Sequence, residues 1–334
     1  MNFCWHIVVP AWGNRHVKLF RDYALPAIRK AAKGISGQWT LTVHTDQEKF
    51  IGDVIRGPHD HPSGINARIV RVAPGPSRYI DLGNIHRQMI KETPQGHAIA
   101  FINADMVASI EAFAAAEARF REGKRLIMCA SPRTNMDTFH PYPGARARDL
   151  LTWAWWHRHA WISDCIYGEG ATKTPSNIFF RQGENVVLHA FHLHPFAMLN
   201  GGESFSGFTI DVDLPDRFPR SQVHVVDDPD ELAFAEMSPA VNPFGSTEQK
   251  LDANSIAHWA QHNTTAAHRW MFGQQIVIKG ERRATAQCEA HDILLRMYAL
   301  GRNRKLTLRR IWCMLPLSLR YDWMVSMARL CGIR

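Results

Sequence analysis

Apolar and polar positions switch between two periods along the first 130 residues. Cys4 to Pro10, CWHIVVP, is an apolar run rich in β-branched residues and reads as a buried strand. It ends in Pro10-Ala11-Trp12-Gly13-Asn14, a loop by composition. From His16 to Lys33 the apolar positions Val17, Phe20, Tyr23, Ala24, Ala27 and Ile28 recur at helical spacing, with Pro26 expected to bend or break the helix. Trp39–Thr45 is a second strand, ending at Asp46, and helix-like Gln47–Ile55 and a Pro/Gly/His loop from Gly57 to Gly64 follow. Ala67–Val72 and Tyr79–Glu92 repeat the strand and helix signals. Ala98–Ile102 is a short apolar run suited to a strand buried on both faces, and it stops at Asn103-Ala104-Asp105 before a helix from Ile110 to Arg121. Arg125–Ala130 adds a further strand. Strand and helix in alternation predict a parallel, open α/β sheet.

Beyond residue 130 the pattern changes. Leu150–Ser163 carries Trp153, Trp155, Trp156, His157, His159 and Trp161, a helix with aromatics on more than one side. Such a cluster serves to pack a core or to stack a sugar or base. Asn177–Arg181 and Val186–Phe191 read as paired strands joined by Gln182-Gly183-Glu184-Asn185. From Glu231 onward the signals are helical, over Ser255–Phe272 and Cys288–Leu300, with no clear strand alternation. The division expected is a sheet-bearing region, 1–235, and a helical region, 236–334.

Charge sharpens that division. The chain of 334 residues has a net charge of +8. Residues 279–334 hold twelve Lys or Arg and four acids, so the whole excess sits there and residues 1–278 are neutral. Leu306–Ile333 interleaves Arg309, Arg310, Arg320 and Arg329 with Trp, Leu and Met, which suits the interface of an anionic membrane. A packed helical cap with snorkelling arginines fits the same pattern. No nucleic-acid-binding motif accompanies these charges, so nucleic acid is not an expected partner. Six cysteines are scattered without zinc-like spacing, and reduced thiols in a cytoplasmic protein are expected. Neither a signal peptide nor a membrane-spanning apolar run is apparent.

Three places carry candidate chemistry. Asp105 follows a buried strand at the rim where open α/β sheets bind ligands, although Asp also terminates strands and caps turns. In a strand, His192 and His194 would share one face and offer a pair for a metal or a pyrophosphate; two unrelated histidines are the plainer alternative. Asp211 and Asp213 alternate in strand register and would serve as base and ligand, or else form a solvated turn before Pro215.

With Ile7–Arg29, the strand ending at Thr45-Asp46, Phe101–Ser109 with Gly123–Arg125, and Phe191–Phe196 with Phe208–Leu214, the chain resembles bacterial glycosyltransferases of the GT-A, nucleotide-diphospho-sugar transferase, fold. The resemblance implies an α/β fold with a Rossmann-type, mostly parallel sheet and flanking helices, followed by a helical C-terminal extension. It places the nucleotide sugar at Pro10, Ala11, Trp12, Asp46, Asn103, Ala104 and Asp105. It implies a divalent cation, Mn²⁺ or Mg²⁺, on Asp105 with His192 or His194, although Asn103 stands where the family's acidic motif has its first carboxylate. Asp211 or Asp213 would be the base of an inverting transfer. The partners implied are a nucleotide-sugar donor and a cell-surface glycan or lipid-linked acceptor, with the basic tail peripheral on the inner face of the membrane. The alternative is a non-catalytic nucleotide-sugar or glycan-binding module with a degenerate metal motif.

Overall fold

The computed structural model describes residues 2–56, 66–73, 75, 77–204, 209–241, 250–281 and 284–302. The Gly57–Gly64 loop and the Leu306–Ile333 tail singled out above lie outside the described residues. Seven strands form the central sheet: β1 (Trp5–Pro10), β2 (Trp39–Thr45), β3 (Asn66–Arg71), β4 (Ala98–Phe101), β6 (Leu126–Cys129), β10 (His194–Leu199) and β11 (Val223–Val225). Their order is β11-β6-β10-β4-β1-β2-β3, parallel throughout except for β10, which runs antiparallel between β4 and β6. The mostly parallel, Rossmann-type α/β sheet expected from the GT-A resemblance is therefore present.

The apolar runs explain why β1 and β4 lie at its centre. Val8, Ile99 and Phe101 pack into the core on one face, and Ile7, Val9, Ala100 and Ile102 into the core on the other. A strand buried on both faces has no polar positions to alternate. Helices α1 (Gly13–Leu19), α2 (Leu25–Ala31), α3 (Glu48–Arg56), α4 (Arg78–Glu92) and α5 (Ala112–Arg121) flank the sheet. The helix expected over His16–Lys33 is interrupted: Phe20–Ala24 forms a widened π-helical turn and α2 begins at Leu25. Pro26 then falls in the first turn of α2, where its missing N–H goes unneeded.

Two smaller sheets complete the fold. One has the order β5-β12-β7, with β5 (Met106–Ala108), β7 (Arg133–Asn135) and β12 (Phe234–Ser238). The other has the order β13-β9-β8, with β8 (Asn177–Gln182), β9 (Asn185–Ala190) and β13 (Ile276–Lys279). The expected β8–β9 hairpin is present, with Gly183 supplying the positive φ its two-residue turn needs. Strands β12 and β13 correct the expectation of helix alone beyond Glu231: Phe234–Ser238 pairs with β5 and β7, and the buried Ile276-Val277-Ile278 pairs with β9.

The aromatic stretch divides into α6 (Ala147–Trp156) and α7 (Ala160–Asp164). Trp155 packs on Phe179 and Trp153 on Phe139, so most of that cluster is core. Helix α8 (Ile210–Asp213) is a single turn, and Ser255–Phe272 is two helices, α9 (Ala253–Asn263) and α10 (Ala266–Phe272). Thr265 breaks them by capping α10 in a box with His268. Helix α11 (Ala284–Arg302) packs with α9 and α10 over β8 and β9, through Ile293, Ile256, Phe272, Phe180 and Phe191.

Candidate functional site

A cavity of about 770 Å³ opens at the carboxyl edge of the parallel strands. Pro10 at the end of β1, Trp12, and the turn Asn103-Ala104-Asp105 after β4 line it. The turn is closed by a bond from Met106 N to Asn103 O, 3.0 Å, and Asp105 O accepts from Met237 N at 2.8 Å. Both backbone bonds fix Asp105 at the floor. Arg78, Leu82 and His86, spaced four apart on α4, form a side wall. His192, His194, Asp211, Trp161 and Trp259 line it as well.

Six of the expected positions, Pro10, Trp12, Asn103, Ala104, Asp105 and Asp211, thus meet around one space with both histidines. Three others do not reach it. Ala11 is fully buried, its N–H donating to His44 O. Asp46 accepts from Gly13 N with both carboxylate oxygens, at 3.0 and 3.2 Å. It fastens the loop between β1 and α1, where Gly13 sits at φ +72. Asp213 pairs with Arg217 at 3.3 Å and does not line the cavity. The strand register expected for Asp211 and Asp213 is overturned because they lie on α8. At about 100° per residue, two positions apart on a helix face nearly opposite ways.

The floor is a cluster of opposed charges. Asp105 Oδ2 lies 3.7 Å from His16 Nε2, too far for a hydrogen bond. His16 donates from Nδ1 to Trp12 O at 3.2 Å and receives Arg15 at Nε2, 3.3 Å. Burial, then Arg15, holds the His16 pKa down, which keeps its ring neutral. Burial, then the neighbouring Glu236 carboxylate, pushes Asp105 upward. Glu236 in turn forms a 2.7 Å ion pair with Arg133. Strand pairing puts these together: on β12, Glu236 lies opposite Met106 of β5 on one side and Arg133 of β7 on the other. Glu236 and Arg133 were missed from sequence. The signal available was one acid inside the otherwise buried Phe234–Ser238.

The expected shared strand face is not formed: His192 lies in the bend before β10, with its buried Nε2 lacking a hydrogen-bond partner among the described residues, and His194 begins β10. His194 donates from Nε2 to Phe101 O, 2.7 Å, tying β10 to the end of β4. His192 stacks on His268, with ring centroids 4.5 Å apart, and burial lowers its pKa despite nearby Asp211. His268 accepts from Thr265 N at Nδ1, so its Nε2 carries the proton directed at Asp211 O, 3.4 Å. A hard divalent cation asks for several converging oxygen or nitrogen ligands. Among the described residues no group of three His, Cys, Asp or Glu side chains converges to supply them. The expected set of Asp105, His192 and His194 is therefore not assembled, and the residues present do not fit the cation that the resemblance implies.

No protein-family model matches the chain, and no curated protein matches it. Among solved structures it is similar to TarS residues 1–349 from S. aureus, at 10% identity and a TM-score of 0.37, over 94% of this chain and 77% of that one. It is also similar to 4-diphosphocytidyl-2C-methyl-D-erythritol synthase from Anaerococcus prevotii, at 17% identity and a TM-score of 0.28, over 39% of this chain and 56% of that one.

Proposed function

We propose that this chain transfers a glycosyl unit from a nucleotide-sugar donor to a cell-surface glycan or lipid-linked acceptor. The observation that carries this reading is that Asp211 lines one cavity together with Pro10, Trp12 and the Asn103-Ala104-Asp105 turn. A donor site alone needs only the sheet edge. A carboxylate lining the same cavity from α8 adds a group for the acceptor.

In this reading the nucleotide lies along Pro10 and Trp12, and the diphosphate lies toward Asn103–Asp105. The acceptor oxygen forms its bond to the anomeric carbon as the bond from that carbon to the diphosphate breaks. The electron pair of the broken bond leaves on the diphosphate, and the acceptor proton passes to Asp211. Trp259, partly exposed in the same cavity, offers an aromatic face to a sugar ring. No step is routed through a divalent cation, because the described side chains do not converge on one.

The test is a thermal-shift series with UDP, GDP, CDP, dTDP and CMP and their sugars, followed by product analysis with the donor that binds. A ligand at 100 times its Kd stabilises the fold by about 2.7 kcal/mol, which makes a selective donor visible. A selective rise with one nucleotide family and release of its diphosphate support the transfer. Absence of any shift at millimolar ligand removes the reading. A second reading, a binding module without turnover, draws on Asn103 standing in place of a carboxylate; it predicts the same shift with no product.

The membrane association of the acceptor rests on sequence alone. No helix among the described residues is long and apolar enough to cross a membrane. In the proposal the basic segment beyond Arg302 brings the enzyme to an anionic surface.

A further inference from the structure

Not all of the aromatic stretch goes into the core. Trp156 of α6 is 61% exposed, and Tyr142, in the loop before that helix, is 53% exposed. Trp153 and His157 are partly buried beside them. Trp153 is the helical neighbour of Trp156 and His157, three and four residues on. Its ring centroid lies 6.0 Å from that of Tyr142 and 6.2 Å from that of His157. The strip is held firmly from below. Trp153 rests edge-on against buried Phe139 at 5.8 Å. Tyr142 stands between Pro141 and Pro143, and a 3.1 Å hydrogen bond between Tyr23 Oη and His140 Nδ1 fastens their loop to the π-helical turn. Lys279 Nζ lies 4.5 Å from the Trp156 ring centroid and caps one face; at 61% exposure the other face is open. Lys279 is itself paired with Glu184, so its charge is matched. Asn135 N donates to His157 O at 2.8 Å, which joins the strip to β7, whose Arg133 lines the cavity.

We propose that this strip is a carbohydrate-binding surface outside the cavity, which holds neutral sugar units of an acceptor chain. That the chain is the acceptor rests on the glycosyl-transfer reading; the stacking chemistry is independent of it. Each member is a flat ring with a polar atom at its edge, the form that covers the C–H face of a sugar ring and reaches its hydroxyls. Rings fixed before binding lose little conformational freedom when a sugar settles on them. The two exposed rings present on the order of 250 Å², against about 800 Å² a side for a stable protein interface. That is too small to hold a second copy of the chain and suits one or two sugar rings. An anionic membrane calls for aliphatic side chains and unmatched cations, and the four rings and Lys279 supply neither.

The experiment is calorimetric titration of the full chain with four neutral hexasaccharides, cellohexaose, maltohexaose, mannohexaose and chitohexaose, beside sedimentation with phosphatidylglycerol vesicles. The expected result is saturable binding of at least one hexasaccharide, weakened about tenfold or more in the double variant Tyr142→Ala with Trp156→Ala. Tyr142→Phe with Trp156→Phe keeps both rings and is expected to hold the Kd within about threefold of wild type. Both residues are exposed, so both variants should fold, which thermal unfolding checks. No binding of any hexasaccharide, or equal binding in the double alanine variant, overturns the proposal. Vesicle binding that the alanine variant loses, with no hexasaccharide bound, overturns it too and makes the strip a membrane contact. The nucleotide thermal shift tests the transfer reading separately. Hexasaccharide binding that depends on Tyr142 and Trp156, without any nucleotide shift, sustains the strip and removes the transfer. A nucleotide shift without hexasaccharide binding does the reverse.

Discussion

Glu231 offers the sharpest test of how the site is held. It precedes β12, the strand that carries Glu236, and ties that strand to two neighbours. Arg119 of α5 donates to both carboxylate oxygens at 2.8 and 3.1 Å, and His224 of β11 donates to Oε1 at 2.8 Å. The Glu231 side chain is 9% exposed. Burial alone would raise its pKa, but the His224 and Arg119 hydrogen bonds outweigh it and bring the value from 4.5 to about 2. A gap of that size is worth about 3 kcal/mol at neutral pH. Because Arg119 is 32% exposed, solvent screening reduces this to about 2 kcal/mol. Glu231→Gln turns an amide N–H toward an Arg119 N–H and is expected to lose that amount. The folded-state value is lowered, so the contribution is fully present above pH 4.5 and is lost as pH falls toward 2. Urea unfolding of wild type and variant at pH 7 and pH 3 should therefore show a deficit that shrinks to less than half at pH 3. A deficit that is absent at pH 7, or that grows as pH falls, refutes the reasoning.

Four other outcomes can be measured. Asp211→Asn should leave donor affinity unchanged and lower turnover about 100-fold or more, measured by separating Kd from kcat; a loss of affinity instead makes Asp211 a binding residue. Asp105 has a raised pKa, so its stability contribution is lost as pH climbs from 3.8 through about 7. Asp105→Asn should accordingly gain stability over wild type as pH rises from 5 to 8, and a flat difference in urea midpoints would contradict this. Gly37→Ala would place a Cβ 2.2 Å from Phe3 O, a backbone clash expected to cost about 2 kcal/mol or more in thermal unfolding. Truncation before Arg302 should release the protein from anionic liposomes in a sedimentation assay, and equal retention would sink the membrane role.

What could be read from sequence was what a single segment decides for itself. Ile7-Val8-Val9 and Ala98–Ile102 have no polar positions, and a strand of that kind fits only where both faces are covered. The sheet's centre and the rim position of Asp105 followed from those runs. Asp211 and Asp213 were misread because six residues, Phe208–Asp213, are too few to separate a period of two from one of 3.6. Pro215, at the start of the next helical turn, was the better guide, since proline is tolerated there and not within a strand. Strand β13 was overlooked among helices although Ile276-Val277-Ile278 carries a β-branched signal of its own. Arg133 and Glu236 were beyond local reading. They stand about 100 residues apart, and only the β7–β12 pairing brings their side chains together.

That pairing explains how the cluster can be rigid on what is otherwise a loop-bearing rim. Each of β5, β7 and β12 spans only three to five residues, too short to be stable alone. They are held by what they connect. Ala233 N donates to Ser109 Oγ at the end of β5, and Thr134 Oγ1 donates to Glu236 O across to β7. Phe234 and Ala235 of β12 are buried in the cores on the two faces of the central sheet. A small sheet anchored in this way carries Asp105, Glu236 and Arg133 in fixed register over the edge of the large one. Reversing a single charge there would leave a partly buried group without its partner, a more serious defect than losing an exposed ion pair. The arrangement therefore ties the charge balance of the cavity to the packing of β12, so the electrostatics of the cavity floor and the stability of the fold should change together when that strand is disturbed.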